Sequence, residues 1–275
     1  MRFGFKEKNH KHKIYLWYTK STSSTGKNLA NDLGVDCGSK IPPRSSDIVI
    51  CWGSRLKSET LNLGYLRQKI LINEPQAIKN NRDKVLSLKI MNEKKVSVPK
   101  FCYDNEVITK LENGEIEFPL IARTRFHQGG SGFELCLCKR DIRRARNHNV
   151  KDYYIQYIPN NKEYRVHIFD NKIIRVQIKK GLKDCDNCKR NHDNGWVFST
   201  IPTESAPKNI LQEALNSIDA MGMNFGAVDL ILSDFNKSFV LEINSAPGLE
   251  DDGLEIYSSA VKRYLIRKGI TYNGR

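Results

Sequence analysis

Two carboxylates lie inside a pair of apolar segments near the end of this 275-residue chain, and they constrain the fold more than any other feature. The segments read AVDLIL, which contains Asp229, and FVLEIN, which contains Glu242 and Asn244. If Ser233 pairs with Ser238 in a hairpin, Asp229 stands opposite Glu242. Asn244 shares that face because side chains alternate along a strand. Facing carboxylates in an apolar hairpin repel each other and are costly to bury.

A divalent cation would remove this penalty. Two carboxylates and an amide offer only oxygen ligands, which suit Mg²⁺ or Mn²⁺. The alternative is that this face of the hairpin is exposed to solvent, and the long apolar runs on both strands disfavour it. The sequence therefore predicts a metal site formed by Asp229, Glu242 and Asn244.

A glycine-rich segment, HQGGSG, lies between two strand-like runs, FPLIAR and FELCLC. Consecutive glycines let backbone N–H groups approach an anion closely, and Arg123 and Arg125 precede the segment. It differs from a P-loop, which needs Gly-Lys-Ser/Thr leading into a helix. The pattern predicts an anion-binding loop, and a merely flexible loop is the alternative. Its candidate binding residues are His127, Gly129, Gly130, Ser131 and Gly132.

A hairpin precedes the metal site in the chain. Glu163, Arg165 and His167 alternate and so share one face, and the two-residue turn at 170–171 suits a tight primed turn. With that turn setting the register, a row of polar residues faces an apolar row, which predicts a ligand surface; a half-exposed edge strand is the alternative. Lys179 adds positive charge nearby. The expected apolar partners are, in order, Ile178, Val176 and Ile174.

Together these segments resemble the ATP-grasp ligases, especially the group with the ribosomal-protein glutamate ligase and the glutathione-synthetase-like enzymes. The resemblance extends over residues of about 70 to 250, and its two C-terminal motifs are the most specific. The segments that carry it are NNRDK at 80–84, PLIAR at 119–123, QYI at 156–158, EYRV at 163–166, GAVD at 226–229 and LEINSAPG at 241–248.

The resemblance implies how ATP would be bound. Lys84 and Arg123 would hold its phosphates, although the family usually has Lys where Arg123 stands, and the glycine loop would close over them. Glu163 would bind the ribose. The adenine hinge would consist of Gln156, Tyr157 and Ile158.

The resemblance also implies a catalytic centre. Arg165 and Lys179 would hold the γ-phosphate and an acyl phosphate, and Asp229, Glu242 and Asn244 would bind one or two Mg²⁺ ions. The implied activity is that of an ATP-dependent carboxylate–amine ligase, which forms an amide through an acyl phosphate and releases ADP and phosphate. No protein nucleophile is needed for these steps.

The implied fold is α/β (α+β): an ATP-grasp fold with two α+β subdomains gripping ATP, preceded by a small α/β domain. The expected boundaries are 1–80 for the N-terminal domain, 81–152 for the central subdomain with the glycine loop, and 153–275 for the C-terminal subdomain with the metal site. The N-terminal domain is expected to help form a substrate pocket. Arg55 is the candidate contact there, with an ordinary surface arginine as the alternative.

The partners are expected to be a carboxylate and an amine, such as an amino acid and a peptide or another acidic macromolecule. The formal charge of +14 favours an acidic partner. The alternative function is a basic nucleic-acid-binding module without ligase activity, supported by this charge and by aromatics such as Trp17 and Trp52. Those aromatics lie in apolar strands, where core packing explains them better. A third possibility is a ligase fold that binds ATP without catalysis. The presence of all three candidate metal ligands, Asp229, Glu242 and Asn244, disfavours it.

Seven cysteines, with neither an export signal nor a membrane-spanning run, favour a cytoplasmic protein with reduced thiols. Cys185, Cys188 and His192 have spacing that zinc could use, with Cys136 and Cys138 as further ligands. The favoured interpretation of Cys136 and Cys138 is instead that of small apolar residues in a strand. The basic run KRDIRRAR is expected to be a solvated helix face.

Overall fold

The computed structural model describes residues 11–19, 23–54, 63–126, 132–148, 151–182, 194–272 and 274. These residues form three sheets. The first is parallel, with strand order β2-β1-β3-β4, and it is built from β1 (Ile14–Tyr18), β2 (Asp36–Gly38), β3 (Ile48–Trp52) and β4 (Ile70–Ile72). Helix α1 (Ser24–Leu33) connects the first two strands. The sequence predicted this small α/β unit.

The ends of α1 show why the local sequence folds this way. The Ser23 side chain accepts a hydrogen bond from the backbone N–H of Gly26 at the first turn. Gly34 ends the helix at φ 67°, a left-handed conformation that costs glycine little. A serine cap and a glycine stop are typical sequence signals of a helix start and end.

The second sheet belongs to the central part of the chain and is antiparallel, in the order β5-β8-β6-β7. Its core packs under two of the central helices, and the buried Cys136 lies in that core. Burial raises the pKa of Cys136 to about 11, so this thiol is a small apolar residue, as expected. The same expectation is wrong for Cys138, which lies beyond the end of the strand with its Sγ 3.5 Å from Asp141 Oδ2. The elements are α2 (Pro75–Arg82), α3 (Lys84–Glu93), β5 (Phe101–Tyr103), α4 (Val107–Glu112), β6 (Leu120–Arg123), β7 (Glu134–Cys136), α5 (Lys139–His148) and β8 (Tyr153–Gln156).

The third sheet is antiparallel, in the order β11-β10-β9-β12-β13. Helix α6 (Lys208–Ala220) packs its buried Ile210, Ala214 and Ile218 against one face of this sheet. The other face carries the polar residues that the sequence singled out. The elements are β9 (Asn160–Phe169), β10 (Lys172–Gly181), β11 (Trp196–Ile201), α6 (Lys208–Ala220), β12 (Phe225–Ser233), β13 (Ser238–Asn244) and α7 (Gly253–Arg267); short 3₁₀ helices span Leu63–Gln68 and Thr203–Ser205.

An aromatic core joins the N-terminal sheet to the third sheet and α7. The ring of Phe225 stacks with Trp52 at 5.2 Å and with Phe169 at 5.6 Å between ring centres. Tyr257 of α7 meets Trp52 edge-on at 5.3 Å. Buried Asn73 adds a polar link: its side-chain oxygen accepts from the backbone N–H of Asn224 at 2.6 Å. No described helix is long and apolar enough to cross a membrane.

The register predicted for the hairpin of β9 and β10 is wrong. The turn is primed as expected, with Asp170 and Asn171 both at positive φ. The register then shifts at Ile174, so Arg165 pairs with Gln177 and His167 with Arg175. A bulge inserts one residue and thereby exchanges the two faces of the strand. The polar row of β9 therefore faces a polar row, and not Ile178, Val176 and Ile174.

The hairpin of β12 and β13 confirms that Asp229 stands opposite Glu242. The assumed starting pair is wrong, because Leu232, not Ser233, pairs with Ser238. A register shift between Asp229 and Leu230 compensates for this one-residue difference. The loop shifts the register by one residue and the bulge shifts it back, so Asp229 and Glu242 are paired as predicted.

Candidate functional site

The candidate site is the polar face of the third sheet. β9 contributes Glu163 and Arg165, and β12 contributes Asp229. Two neighbouring strands add polar side chains at matching heights, because paired residues of adjacent strands lie side by side. These side chains are Arg175, Gln177 and Lys179 of β10 and Glu242 and Asn244 of β13.

Asp229 is the centre of this surface. Arg165 donates to it twice, from Nε to Oδ1 at 2.7 Å and from Nη2 to Oδ2 at 2.8 Å. Asn244 Nδ2 also donates to Oδ2, at 3.2 Å. Burial disfavours the charge of Arg165, but Asp229 outweighs this effect, so the pKa of Arg165 is raised above its usual range. The predicted metal ligands and catalytic arginine therefore meet in one charged cluster.

Lys84 reaches the same cluster from the start of α3. Its Nζ lies 2.9 Å from Glu242 Oε2. Two contacts fix this helix start: the Asp83 side chain accepts from the backbone N–H of Leu86, and the backbone N–H of Lys84 donates to the carbonyl of Arg125 at 3.2 Å. Asp83 also forms an ion pair with Arg125. These contacts place Lys84 between the second and third sheets.

Arg123 ends β6 and is mostly buried. Burial lowers the pKa of Arg123, while Tyr153 and the negative charge of Glu242 oppose that shift. Its guanidinium also lies 5.9 Å from the ring centre of Phe133. The structure thus brings this predicted phosphate-binding cation within electrostatic reach of the metal-site carboxylate.

Glu163 and Lys179 form a further ion pair, and both side chains are only 10% exposed. The ring of Phe198 on β11 lies beside it, with Arg165 Cζ 4.1 Å and Lys179 Nζ 5.1 Å from the ring centre. Phe198 is the cross-strand partner of Lys179. Sequence reasoning missed this aromatic residue, because only the strand pairing places it beside the cations.

His167, the third residue of the predicted ligand row, belongs to the core. Its Nε2 lies 2.9 Å from Gln177 Oε1, and its Nδ1 lies 3.1 Å from the Tyr257 hydroxyl. Burial lowers the pKa of His167 to about 4. A neutral ring that donates from Nε2 and accepts at Nδ1 satisfies both contacts. His167 is therefore a structural residue, and the ligand surface begins at Arg165.

The predicted adenine hinge follows β8 at the joint between the second and third sheets. The backbone N–H of Gln156 donates to the carbonyl of Lys100 at 2.7 Å, and that of Tyr157 donates to Pro119 at 2.9 Å. Ile158 comes next and is half-buried. These bonds fix the path of the segment and direct two of its N–H groups into the protein.

Most of the glycine loop (His127, Gly129, Gly130 and Ser131) lies outside the described residues, as do Arg55, Cys185, Cys188 and His192. Gly132 is described, at φ 68°, where an added Cβ would lie 3.2 Å from Thr124 Oγ1. Lys151, which sequence reasoning missed, supports this end of the loop. Its Nζ, on a side chain 1% exposed, lies 2.7 Å from Glu134 Oε1 and donates to the Gly132 carbonyl at 3.4 Å.

The chain after Asn244 runs past the site as a loop, residues 245–252, which we call the 245–252 loop. The backbone N–H of Gly53 donates to the Ser245 carbonyl at 3.1 Å and so joins the loop to the N-terminal sheet. At its other end, buried Arg175 donates to the Glu250 carbonyl at 3.1 Å and pairs with Asp252 at 2.8 Å. Arg175 was also missed, because the bulge at Ile174 decides which way it points.

The donor set fits a hard divalent cation. Asp229, Glu242 and Asn244 supply oxygen atoms only, from adjacent strands, and Asp229 and Asn244 are already in contact. The described ranges contain no group of three or more His, Cys, Asp or Glu residues arranged for a metal, so an acidic or thiolate cage is not seen there. Four cations lie in or beside this cluster, and such positive charge suits phosphate groups: Lys84, Arg123, Arg165 and Lys179.

One sheet carries oxygen ligands suited to a metal ion together with cations suited to phosphates. The neighbouring sheet has a glycine-rich segment between β6 and β7. This combination is typical of an ATP-grasp protein. Residues 81–262 match the RimK-like ATP-grasp domain. This match covers more than half of the chain, and the chain belongs to the RimK-like ATP-grasp domain family.

Two relatives are described as probable alpha-L-glutamate ligases. The protein of Saccharophagus degradans is 24% identical over 212 residues, which are 74% of this chain and 68% of that protein. The protein of Alkalilimnicola ehrlichii is 27% identical over 193 residues, which are 65% of this chain and 60% of that protein. The chain thus matches about three fifths to two thirds of the length of these relatives.

Solved structures share the fold. The D-alanine–D-alanine ligase of Bacillus anthracis, complexed with ATP, aligns with a TM-score of 0.64 at 15% identity, over 94% of this chain and 100% of that chain. The macrocyclase MdnC of Microcystis aeruginosa, bound with the precursor peptide MdnA, aligns at 0.62 and 13% identity over 92% and 99%. These findings confirm the predicted class, the ADP-forming ATP-grasp carboxylate–amine ligases. Nothing among them supports the alternative of a nucleic-acid-binding module.

Proposed function

We propose that this chain uses Mg²⁺ and ATP to activate a carboxylate as an acyl phosphate and then joins it to an amine. One observation carries the proposal: Asp229, Glu242 and Asn244 converge on one sheet face together with Arg165 and Lys84. Carboxylates and cations in such proximity suit a ligand that has both a metal ion and phosphates. A ligand with charge of only one sign would account for either the carboxylates or the cations of this cluster, but not for both.

The two halves of the cluster have separate roles in this proposal. Arg165 and Lys179 hold the γ-phosphate and the acyl phosphate, while Lys84 and Arg123 hold the other phosphates. When bound to Asp229, Glu242 and Asn244, Mg²⁺ neutralises charge on the reacting phosphates. Before ATP arrives, Asp229 pairs with Arg165 and Glu242 with Lys84. A bound metal ion and nucleotide would compete with these internal ion pairs for the same side chains.

The chemistry proceeds in two steps. A carboxylate oxygen of the substrate attacks the γ-phosphorus, the bond to the bridging oxygen breaks, and ADP leaves. The amine then attacks the acyl carbon, phosphate leaves with the bonding electrons, and the amine nitrogen loses a proton to give the amide. The first step brings anions together, so the fixed cations Arg165 and Lys179 lower its barrier. The hinge at 156–158, Glu163 and the glycine loop, including His127 and Gly132, position the nucleotide.

We infer that one substrate is an acidic amino acid of the glutamate type and the other a peptide or a similar acidic macromolecule. The first part is supported by the naming of the two relatives as probable alpha-L-glutamate ligases. The net charge of +14 supports the second, since it favours association with an acidic partner. Within this proposal the chain acts in the cytoplasm, and its domains divide at residues 80 and 152.

Phosphate release in the presence of Mg²⁺, ATP, L-glutamate and short acidic peptides tests the proposal. We expect release to require the metal and both substrates, with a product whose mass equals the sum of the substrates minus water. Asp229→Ala and Glu242→Ala should abolish it. Glu112→Gln, which alters an exposed ion pair with Lys139 on the outer surface, serves as the charge-matched control. Full turnover by both alanine variants would refute the metal assignment.

A further inference from the structure

We propose that Phe198 is a positioning residue that holds Arg165 and Lys179 on one ring and leaves their N–H groups available to phosphate oxygens. This inference rests on the proposed function, because it assigns a task to the two cations that the reaction uses. It adds a residue from β11, which none of the ATP-grasp motifs in the sequence includes.

The geometry that points to Phe198 is specific. Arg165 Cζ lies over the ring at 4.1 Å from its centre, well inside the roughly 6 Å range of a cation–π contact. Lys179 Nζ approaches the same ring at 5.1 Å. The contacts of Arg123 with Phe133 and of Arg125 with Phe126 are longer, at 5.9 and 5.8 Å. Phe198 is half-buried, so it borders the site.

An aromatic face suits this position better than a carboxylate would. Two cations close to each other repel, and the negative face of a ring attracts both without cancelling their charge. The ring contacts the flat face of a guanidinium, whereas the N–H donors point outward in its plane. At present Asp229 takes two of these donors of Arg165. The contact with Phe198 can persist when a phosphate replaces that carboxylate.

Strand pairing explains how the ring reaches both cations. Phe198 is the direct cross-strand partner of Lys179, and Arg165 lies one strand further on, opposite Gln177. Arg165 extends diagonally over the ring. Phe198 therefore fixes the spacing between two cations from different strands, a task that neither carboxylate partner performs.

Fluorinated phenylalanines test the inference, because they reduce the negative charge of the ring face with little change of shape. We would incorporate mono-, di- and trifluorophenylalanine at position 198 and measure kcat/KM for ATP, the calorimetric affinity for a non-hydrolysable ATP analogue with Mg²⁺, and Tm. We expect affinity and kcat/KM to fall stepwise with fluorine content, to about tenfold for the trifluoro form. Tm should change little. The same series at Phe235, 89% exposed on a hairpin, is the control and should show no trend.

Two further variants separate charge from packing. Phe198→Tyr should retain most of the affinity, and Phe198→Leu, which keeps an apolar side chain, should lose about as much as the trifluoro form. A flat fluorine series would overturn the positioning role, even if Phe198→Leu were impaired, because packing alone would then explain the loss. If the unmodified protein bound no nucleotide, the proposed function would fail together with this inference. A flat series in a protein that binds nucleotide would overturn this inference alone.

Discussion

Replacing Glu242 by Gln should have opposite effects on ATP binding with and without Mg²⁺. Glu242 Oε2 lies 2.9 Å from Lys84 Nζ, so this cation is occupied before nucleotide binds. When a chelator removes Mg²⁺, we expect Glu242→Gln to bind ATP more tightly than the wild type. The variant lacks one negative charge that faces the phosphates, and it releases Lys84. With Mg²⁺ present, it should bind and turn over ATP more weakly, because a charged metal ligand is missing.

The expected size follows from charge and exposure. Two unit charges about 5 Å apart interact by about 3 kcal/mol at an effective dielectric constant of about 20. The Glu242 side chain is 31% exposed, and solvent screening reduces the interaction to about 1.4 kcal/mol. The Kd for ATP without metal should then fall about tenfold. With Mg²⁺, loss of the ligand should lower kcat/KM about a hundredfold.

Displacement of a fluorescent ATP analogue, titrated in EDTA and again in excess Mg²⁺, measures both effects on one protein sample. Glu112→Gln is the matched control, since it makes the same formal change on a side chain that is 59% exposed. It should leave both affinities unchanged. If Glu242→Gln shifted affinity in the same direction under both conditions, the reasoning that this carboxylate serves a metal and also restrains Lys84 would be refuted.

Three other predictions follow from buried or closely packed groups. The pKa of His167 falls from 6.5 to about 4 on folding, so the unfolded chain binds more protons between these values; unfolding in urea should show a loss of about 3 kcal/mol between pH 6.5 and 4, and His167→Gln should flatten that dependence. Gly53 has φ 63°, and an added Cβ would lie 2.7 Å from Ala246 Cβ; Gly53→Ala should lower Tm more than Gly222→Ala, which has the same φ and open space around it. Arg175 is buried and holds the 245–252 loop through the Glu250 carbonyl and Asp252, so Arg175→Met should lower Tm by several degrees and Arg175→Lys by less; an unchanged Tm in Arg175→Met would contradict this role.

Much of the secondary structure could be predicted because local chemistry determines it. The five apolar residues of Ile14–Tyr18 favour a buried strand, and they form β1. Gly34 ends α1 where its left-handed conformation is required. The helical spacing of Ile210, Ala214 and Ile218 predicts a helix over 209–221, and the helix forms as Lys208–Ala220 with these three residues buried along one face. In each case the deciding residues lie within a few positions of the element, so the sequence alone is sufficient.

Strand register could not be predicted in the same way. The bulge at Ile174 lies in an apolar run whose pattern does not mark one residue as extra. The position of the bulge depends on how both faces of the sheet pack against other elements. The sequence of one strand alone does not determine that packing. The Asp229–Glu242 pairing was predicted correctly although Ser233 and Ser238 do not pair.

The residues of the candidate site divide in the same way, into those marked by local sequence signals and those that depend on strand pairing. The clustering of Asp229, Glu242, Asn244 and Arg165 could be predicted because these residues lie in motifs and on known faces of strands. Phe198, Lys151 and Arg175 act through partners far away in the chain, and their roles emerge only from the sheet order. Lys151, for example, becomes notable only once β7 places Glu134 beside it.

The aromatic core bears on modularity. The family match begins at residue 81, yet Trp52 from outside the matched region stacks on Phe225 inside it. A fragment that contained only the matched region would lack Trp52, so the rings of Phe225 and Tyr257 would be exposed as an apolar surface prone to aggregation. The matched region therefore cannot be exchanged between proteins as an independent unit. Replacing the N-terminal sheet by one from another protein would require redesign of the aromatic contacts around Trp52.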